Sequence, residues 1–91
     1  MTLIMTLEFL NPSRSFDERR NAVRFTGHDG MLEVPFLVEA SVLARAGKTV
    51  LSEKELLGAF DAARKSILDV AREAYSHGRR HSYTLTAADF R

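Results

Sequence analysis

The sequence predicts an α+β fold, a two-layer sandwich in which a small, mostly antiparallel sheet carries one long amphipathic helix on one face. Three observations predict it. Apolar residues alternate with polar ones from Leu3 to Phe9 and again from Val23 to Val38, the period of two that turns one strand face toward a core. Between Leu56 and Ala74 the apolar residues recur instead at steps of three and four, the period of a helix with one buried stripe. The strand patterns precede the helical ones, apart from a last β-prone run at Ser82-Tyr83-Thr84-Leu85, and such grouping favours helices packed on one side of an antiparallel or mixed sheet. The expected order is β-β-β-α-α-β in a single domain spanning residues 1–91, because a chain of this length supports one modest core and no second lobe.

Each element has a local reason. Leu3, Met5, Leu7 and Phe9 alternate with Thr6 and Glu8, and Asn11-Pro12-Ser13 stops that first strand. Residues 13–21 are charged and turn-prone with Phe16 as their one apolar anchor, and they read as a connecting loop with room for one helical turn. Val23 and Phe25 alternate with Arg24 and Thr26, and Leu32, Val34, Phe36 and Val38 alternate with Glu33 and Glu39. Two such runs around Gly27-His28-Asp29-Gly30 form a β-hairpin. Pro35 has no N–H to give a sheet ladder, so the strand that contains it is expected at an edge or a bulge. Ser41 to Ala46, followed by Gly47, reads as a short helix capped by serine and ended by glycine.

The long helix is expected from Ser52 to Gly78. Ser52 and Glu55 have the spacing of a capping box, and Gly78 can take the left-handed conformation that ends a helix. Leu56, Phe60, Ala63, Ile67, Val70 and Ala74 form the apolar stripe, with Asp61, Lys65, Asp69, Arg72 and Glu73 on the far side. The pairs Asp61–Lys65 and Lys65–Asp69 contribute only about 0.2–0.5 kcal/mol each, so burial of the stripe must dominate. After the Ser82–Leu85 strand, Thr86-Ala87-Ala88-Asp89 starts a last helical turn that packs Phe90.

Composition narrows the function classes. Hydrophobic residues at 45% and charged residues at 27%, with five Gly and two Pro, are ordinary values for a chain that folds alone. The absence of cysteine excludes disulfides, thiolate nucleophiles and cysteine-based metal sites, and is compatible with a reducing compartment. The opening Met-Thr-Leu-Ile-Met-Thr-Leu lacks a basic leader and is soon interrupted by Glu8, Asn11 and Pro12, which argues against a signal peptide or membrane span. The expected location is therefore the cytoplasm, and the repeated Met-Thr-Leu makes Met5 a second candidate start. Residues 1–46 carry five basic and six acidic side chains and residues 47–91 eight and six, so no global field demands nucleic acid.

No motif forces a reaction. His77 and His81 have metal-ligand spacing, but Gly78 interrupts the helix between them and no third ligand can be nominated, so neither metal nor cofactor is expected. Enzymatic acid–base work would require the His28-Asp29 segment to meet His77–His81 in one pocket. There is no phosphate loop, nucleophile elbow or dinucleotide fingerprint. Two binding surfaces stand out. Arg79 and Arg80, with Tyr83 nearby, could hold phosphates while a ring stacks on a base; Arg14, Arg19, Arg20 and Arg24 are basic too, but Asp17 and Glu18 lie among them. Leu57, Leu68 and Tyr75 flank the helix stripe and, where exposed, form a strip suited to a protein partner or a homodimer; the commoner outcome is that they widen the core. The leading reading is a small non-enzymatic binding or interaction module, and the alternative is a weak, sequence-tolerant nucleic-acid binder.

The segments Asn-Pro-Ser-Arg-Ser-Phe-Asp, Val-Arg-Phe-Thr-Gly, Leu-Glu-Val-Pro-Phe-Leu-Val-Glu-Ala, Ala-Phe-Asp-Ala-Ala-Arg and Tyr-Thr-Leu-Thr-Ala-Ala-Asp-Phe, in that order, resemble the YrdB-like family of short bacterial proteins, domain of unknown function family 1488. The resemblance runs from about Leu7 to Phe90. It implies a small α+β fold in a single-domain bacterial protein, and it implies no activity and no site residues.

Overall fold

The computed structural model of the chain describes residues 7–44, 51–78 and 80–90. Expectations for Leu3, Met5, residues 45–47 and Arg79 lie outside these. In chain order the elements are β1 (Leu7–Glu8), β2 (Ser15–Asp17), β3 (Ala22–Asp29), β4 (Leu32–Glu39), α1 (Ala40–Leu43), α2 (Glu53–Ala62), α3 (Arg64–Ser76), β5 (Tyr83–Leu85) and a closing 3₁₀ turn, Ala87–Phe90.

The five strands form one mixed sheet in the order β1-β3-β4-β5, with β2 also on β3. β3 and β4 pair antiparallel over all eight residues, from Ala22↔Glu39 to Asp29↔Leu32. The expected Gly27–Gly30 turn is therefore shorter than its glycines imply. The strand continues through Gly27, His28 and Asp29, and the chain reverses at Gly30-Met31, where Gly30 takes the φ of 63° that favours glycine at the first position of a tight hairpin turn. Gly27 is a glycine for a packing reason: a Cβ there would stand 2.9 Å from Leu7 Cδ1 and 3.0 Å from Phe9 Cε1.

β1 and β2 occupy opposite ends of one β3 edge, Leu7↔Asp29 at one end and Phe16↔Val23 at the other. The segment read as a loop thus contains a strand. Its single apolar residue gave no alternation to detect, and it is the exposed ladder of β3 that orders it.

β5 returns beside β4 in parallel, Phe36↔Tyr83 to Val38↔Leu85, which the helical crossover between them permits. β4 is accordingly interior over those residues, and Pro35 stands one residue before the point where β5 begins.

The helices depart from expectation at Ala63. Its φ of −107° and ψ of 15° break the predicted single helix into α2 and α3. The break resets the helical phase, so the fully buried stripe runs Leu56, Phe60, Ile67, Ala71, Tyr75, while Ala63, Val70 and Ala74 are only half-buried. The capping box forms as expected, Ser52 Oγ accepting the Glu55 N–H at 3.1 Å and Glu55 Oε1 accepting the Ser52 N–H at 2.9 Å.

The C-terminal end does not use a left-handed glycine. His77 N–H donates to Ala74 O and Gly78 N–H to Tyr75 O, a tightened last turn with Gly78 outside the left-handed region. α1 begins after Glu39 with no side-chain cap, and Ser41 lies inside it.

The core between sheet and helices is strongly aromatic. Phe25 stacks on Phe36 at 5.3 Å, Phe60 tilts against Phe25 at 5.1 Å, and Phe36 stacks on Tyr83 at 5.0 Å.

Candidate binding cleft beside the hairpin end

The site follows from an incomplete sheet edge. β5 covers β4 only from Phe36 to Val38, so the flank of β4 from Leu32 to Pro35, on the side away from β3, has no strand partner among the described residues. The chain before β5 turns away because Tyr83 holds it there. The ring is buried, 5% exposed, stacked on Phe36 and set edge-on to Tyr75 at 6.0 Å. Its hydroxyl donates to Gly78 O at 2.5 Å and accepts the Arg80 N–H at 3.0 Å.

Between that pinned turn and β4 lies a cleft of about 370 Å³ lined by Leu32, Glu33, Val34, Arg80 and His81. Leu32, at 60% exposure, stands at its mouth beside the fully exposed Met31 of the hairpin turn. The Tyr75 hydroxyl donates to the Asp29 carboxylate, tying the end of α3 to the hairpin. A carboxylate, a guanidinium and an imidazole therefore share one cleft with apolar floor residues, an arrangement suited to holding a chain segment with mixed side chains.

The histidines occupy three separate places. His81 lines the cleft. His77 Nε2 lies 2.9 Å from Glu73 Oε2 one turn earlier on α3. His28 sits in a cross-strand row between Glu8 and Glu33, its Nε2 3.8 Å from Glu33 Oε2 and its Nδ1 buried with no hydrogen-bond partner among the described residues. The hairpin and the His77–His81 segment do meet, but through Glu33 and His81 rather than through His28 in the cleft. Among the described residues no three His, Cys, Asp or Glu side chains are grouped so as to hold a metal ion.

Three of the basic residues of the first loop and hairpin, Arg14, Arg20 and Arg24, are taken up by carboxylates. Arg14 donates to Asp61 through Nε at 2.9 Å and Nη2 at 2.6 Å, and Arg64 reaches the same carboxylate at 2.8 Å and Pro12 O at 3.1 Å. Asp61 thus bonds Arg64, and an arginine 47 residues upstream, instead of the expected Lys65. The Arg14 hydrogen bond, followed by that of Arg64, holds the Asp61 carboxyl below its usual range against an opposing desolvation, and it raises Arg14 further. Asp17 accepts the Arg20 backbone N–H at 3.1 Å and the side chains of Arg24 at 2.6 Å and Arg20 at 3.0 Å; the backbone bond is the largest cause of its own lowered pKa, again against desolvation. Arg80, by contrast, makes no ion pair among the described residues.

Of the residues singled out from sequence, Arg80 borders the cleft and Tyr83 shapes its wall from inside the core. Tyr75 is 4% exposed and belongs to the core, and Leu57 and Leu68 are half-buried against it. These three widen the helix contact rather than form an exposed strip; Leu57 also edges a shallow hollow of about 550 Å³ with Arg14, Glu53, Lys54 and Gly58. Sequence reasoning missed Met31, Leu32 and Glu33. Two large apolar side chains directly after a turn glycine were the available signal.

These features define the class: a small mixed α+β domain, five strands in one sheet with helices packed on it. The chain belongs to the DUF1488 family, described as a protein of unknown function, whose sequence model matches residues 7–86. It is also similar to a crystal structure of a protein of unknown function from the same family in Shewanella loihica PV-4, with 15% sequence identity, a TM-score of 0.78, and coverage of 92% of this chain and 96% of that one. At that identity the likeness shows the fold. Comparison with curated proteins gives no match. Among the described residues no helix is long and apolar enough to cross a membrane.

Proposed function

We propose that this chain is a small non-enzymatic protein-binding module of the bacterial cytoplasm that docks through the hairpin-end cleft. One observation carries the reading: the exposed Leu32, which directly follows Met31, the most exposed large apolar residue described, lines a cleft whose β4 wall has an unpaired flank. This surface replaces Leu57, Leu68 and Tyr75 as the proposed interface, and a second copy of the chain is one partner it could take.

The alternative, nucleic-acid binding through Arg79, Arg80 and Tyr83, keeps one supporting observation, the Arg80 guanidinium without an ion pair among the described residues. Against it, the ring proposed to stack on a base is stacked inside the core, and Arg14, Arg20 and Arg24 are bound to carboxylates.

A photo-crosslinking side chain placed at position 32 in living cells, with one at the exposed Lys65 as control, tests the reading. The expected result is a discrete protein adduct from position 32 only, at twice the mass of the chain if the partner is another copy. Equal adducts from both positions, or adducts to nucleic acid, would refute it.

A further inference from the structure

The unpaired flank of β4 and the wall facing it specify more than a sticky patch. We infer that the occupant of the cleft is an extended peptide segment of a partner protein, carrying an acidic residue, that adds as a strand beside Leu32–Pro35. The inference rests on the binding-module reading and names the chemistry of its partner.

Three observations support it. First, β4 is fully paired on its β3 side but on its other side only from Phe36 to Val38 among the described residues. Because alternate residues of an antiparallel ladder turn their backbone to opposite sides, Leu32 and Val34 bond β3, and the Glu33 N–H and the Glu33 and Pro35 carbonyls are left on the outer edge, beside the cleft. Four strand residues offer roughly 13 Å of template at about 3.3 Å per residue, and an extended chain is the ligand whose own N–H and C=O groups match such a template. Second, the side chains along that flank alternate in the manner an added strand meets. Val34 is buried, Glu33 is exposed on the opposite face, and Leu32 is exposed at the open end. Third, the facing wall is cationic. Arg80 has no ion pair among the described residues and His81 is beside it, so a carboxylate on the incoming segment would find a partner there, while Glu33 on the β4 wall disfavours an acidic side chain on its own side. Pro35, which has no N–H, marks the inner end of the template just before β5 takes over.

The test uses the ¹⁵N-labelled full chain and a synthetic acetylated Val-Thr-Val-Thr-Glu amide, compared with the same peptide N-methylated at alternate residues and with a version ending in Gln. The expected result is chemical-shift change centred on the amides of Leu32, Glu33, Val34, Arg80 and His81, with slowed exchange at Glu33, whose N–H lies on the outer edge. N-methylation should weaken binding by about tenfold, the factor that one or two lost ladder hydrogen bonds carry. Replacing Glu by Gln, or Arg80→Glu in the protein, should weaken it as well. Equal binding of the N-methylated peptide, or shifts centred elsewhere, would overturn strand addition. The broader reading fails separately, since it stands or falls on the position-32 crosslink.

Discussion

Removing one hydroxyl tests how the cleft is built. Tyr83→Phe keeps the ring in its place, 5.0 Å from Phe36 and 6.0 Å from Tyr75, and deletes two hydrogen bonds, to Gly78 O and from Arg80 N–H. Each neutral hydrogen bond is worth about 0.5–1.5 kcal/mol net. Gly78 and Arg80 are exposed, so water can replace the lost partner, and the total falls to about 1–2 kcal/mol. In a domain of this size that corresponds to a melting temperature lower by roughly 4–16 °C. The loss is concentrated in the 78–80 turn, so hydrogen exchange at the Arg80 amide should accelerate by about 5–30-fold, the factor that 1–2 kcal/mol represents. Thermal denaturation followed by circular dichroism, with residue-resolved exchange, reads both effects. A Tyr83→Leu control should cost more, since it also loses two aromatic contacts worth about 0.5–1.5 kcal/mol each. If Tyr83→Phe melts and exchanges like the parent chain, the hydroxyl does not hold the cleft wall and the geometric account of the site is wrong.

Phe60→Ala should cost about 3–5 kcal/mol in urea denaturation, because Phe60 is completely buried and packs its ring on Phe25; a cost below about 1 kcal/mol would mean the core closes over the gap. Gly27→Val should destabilise by at least about 1–3 kcal/mol, and Leu7→Ala in the same chain should recover part of that loss, since Leu7 is the nearest obstruction; a double-mutant cycle with no coupling would contradict the packing reason for this glycine. Acid should erode stability through Asp17 and Asp61. Both carboxyls sit below the ordinary value of 3.8 when folded, so their contribution is fully present above that unfolded value and is lost as pH falls through the lower folded values. Asp61→Asn should flatten the denaturation midpoint against pH in that acid window, and an unchanged profile would show that the Arg14 and Arg64 contacts do not matter to stability.

The local chemistry of the chain determined a good deal. The period-two runs at Val23–Val38 and the helical stripe from Leu56 depend only on which side chains must leave water, and the capping box at Ser52 and Glu55 depends only on neighbours three residues apart; each was legible because its cause lies within a few residues. So was the class, a small α+β domain. Tertiary structure decided the rest. Ser15–Asp17 became a strand because β3 offered it a ladder, not because its own residues demanded one. Ala63 broke the helix, which shifted the buried stripe onto Ala71 and Tyr75 and gave Asp61 to Arg14. Tyr83, offered from sequence as a ring to stack on a base, entered the core because β5 joined β4 in parallel. The cleft itself exists only because that parallel strand begins at Phe36 and leaves the four residues of β4 before it uncovered. A pairing between residues nearly fifty positions apart, and the point at which it ends, are set by how the whole core closes, and no short stretch of sequence encodes them.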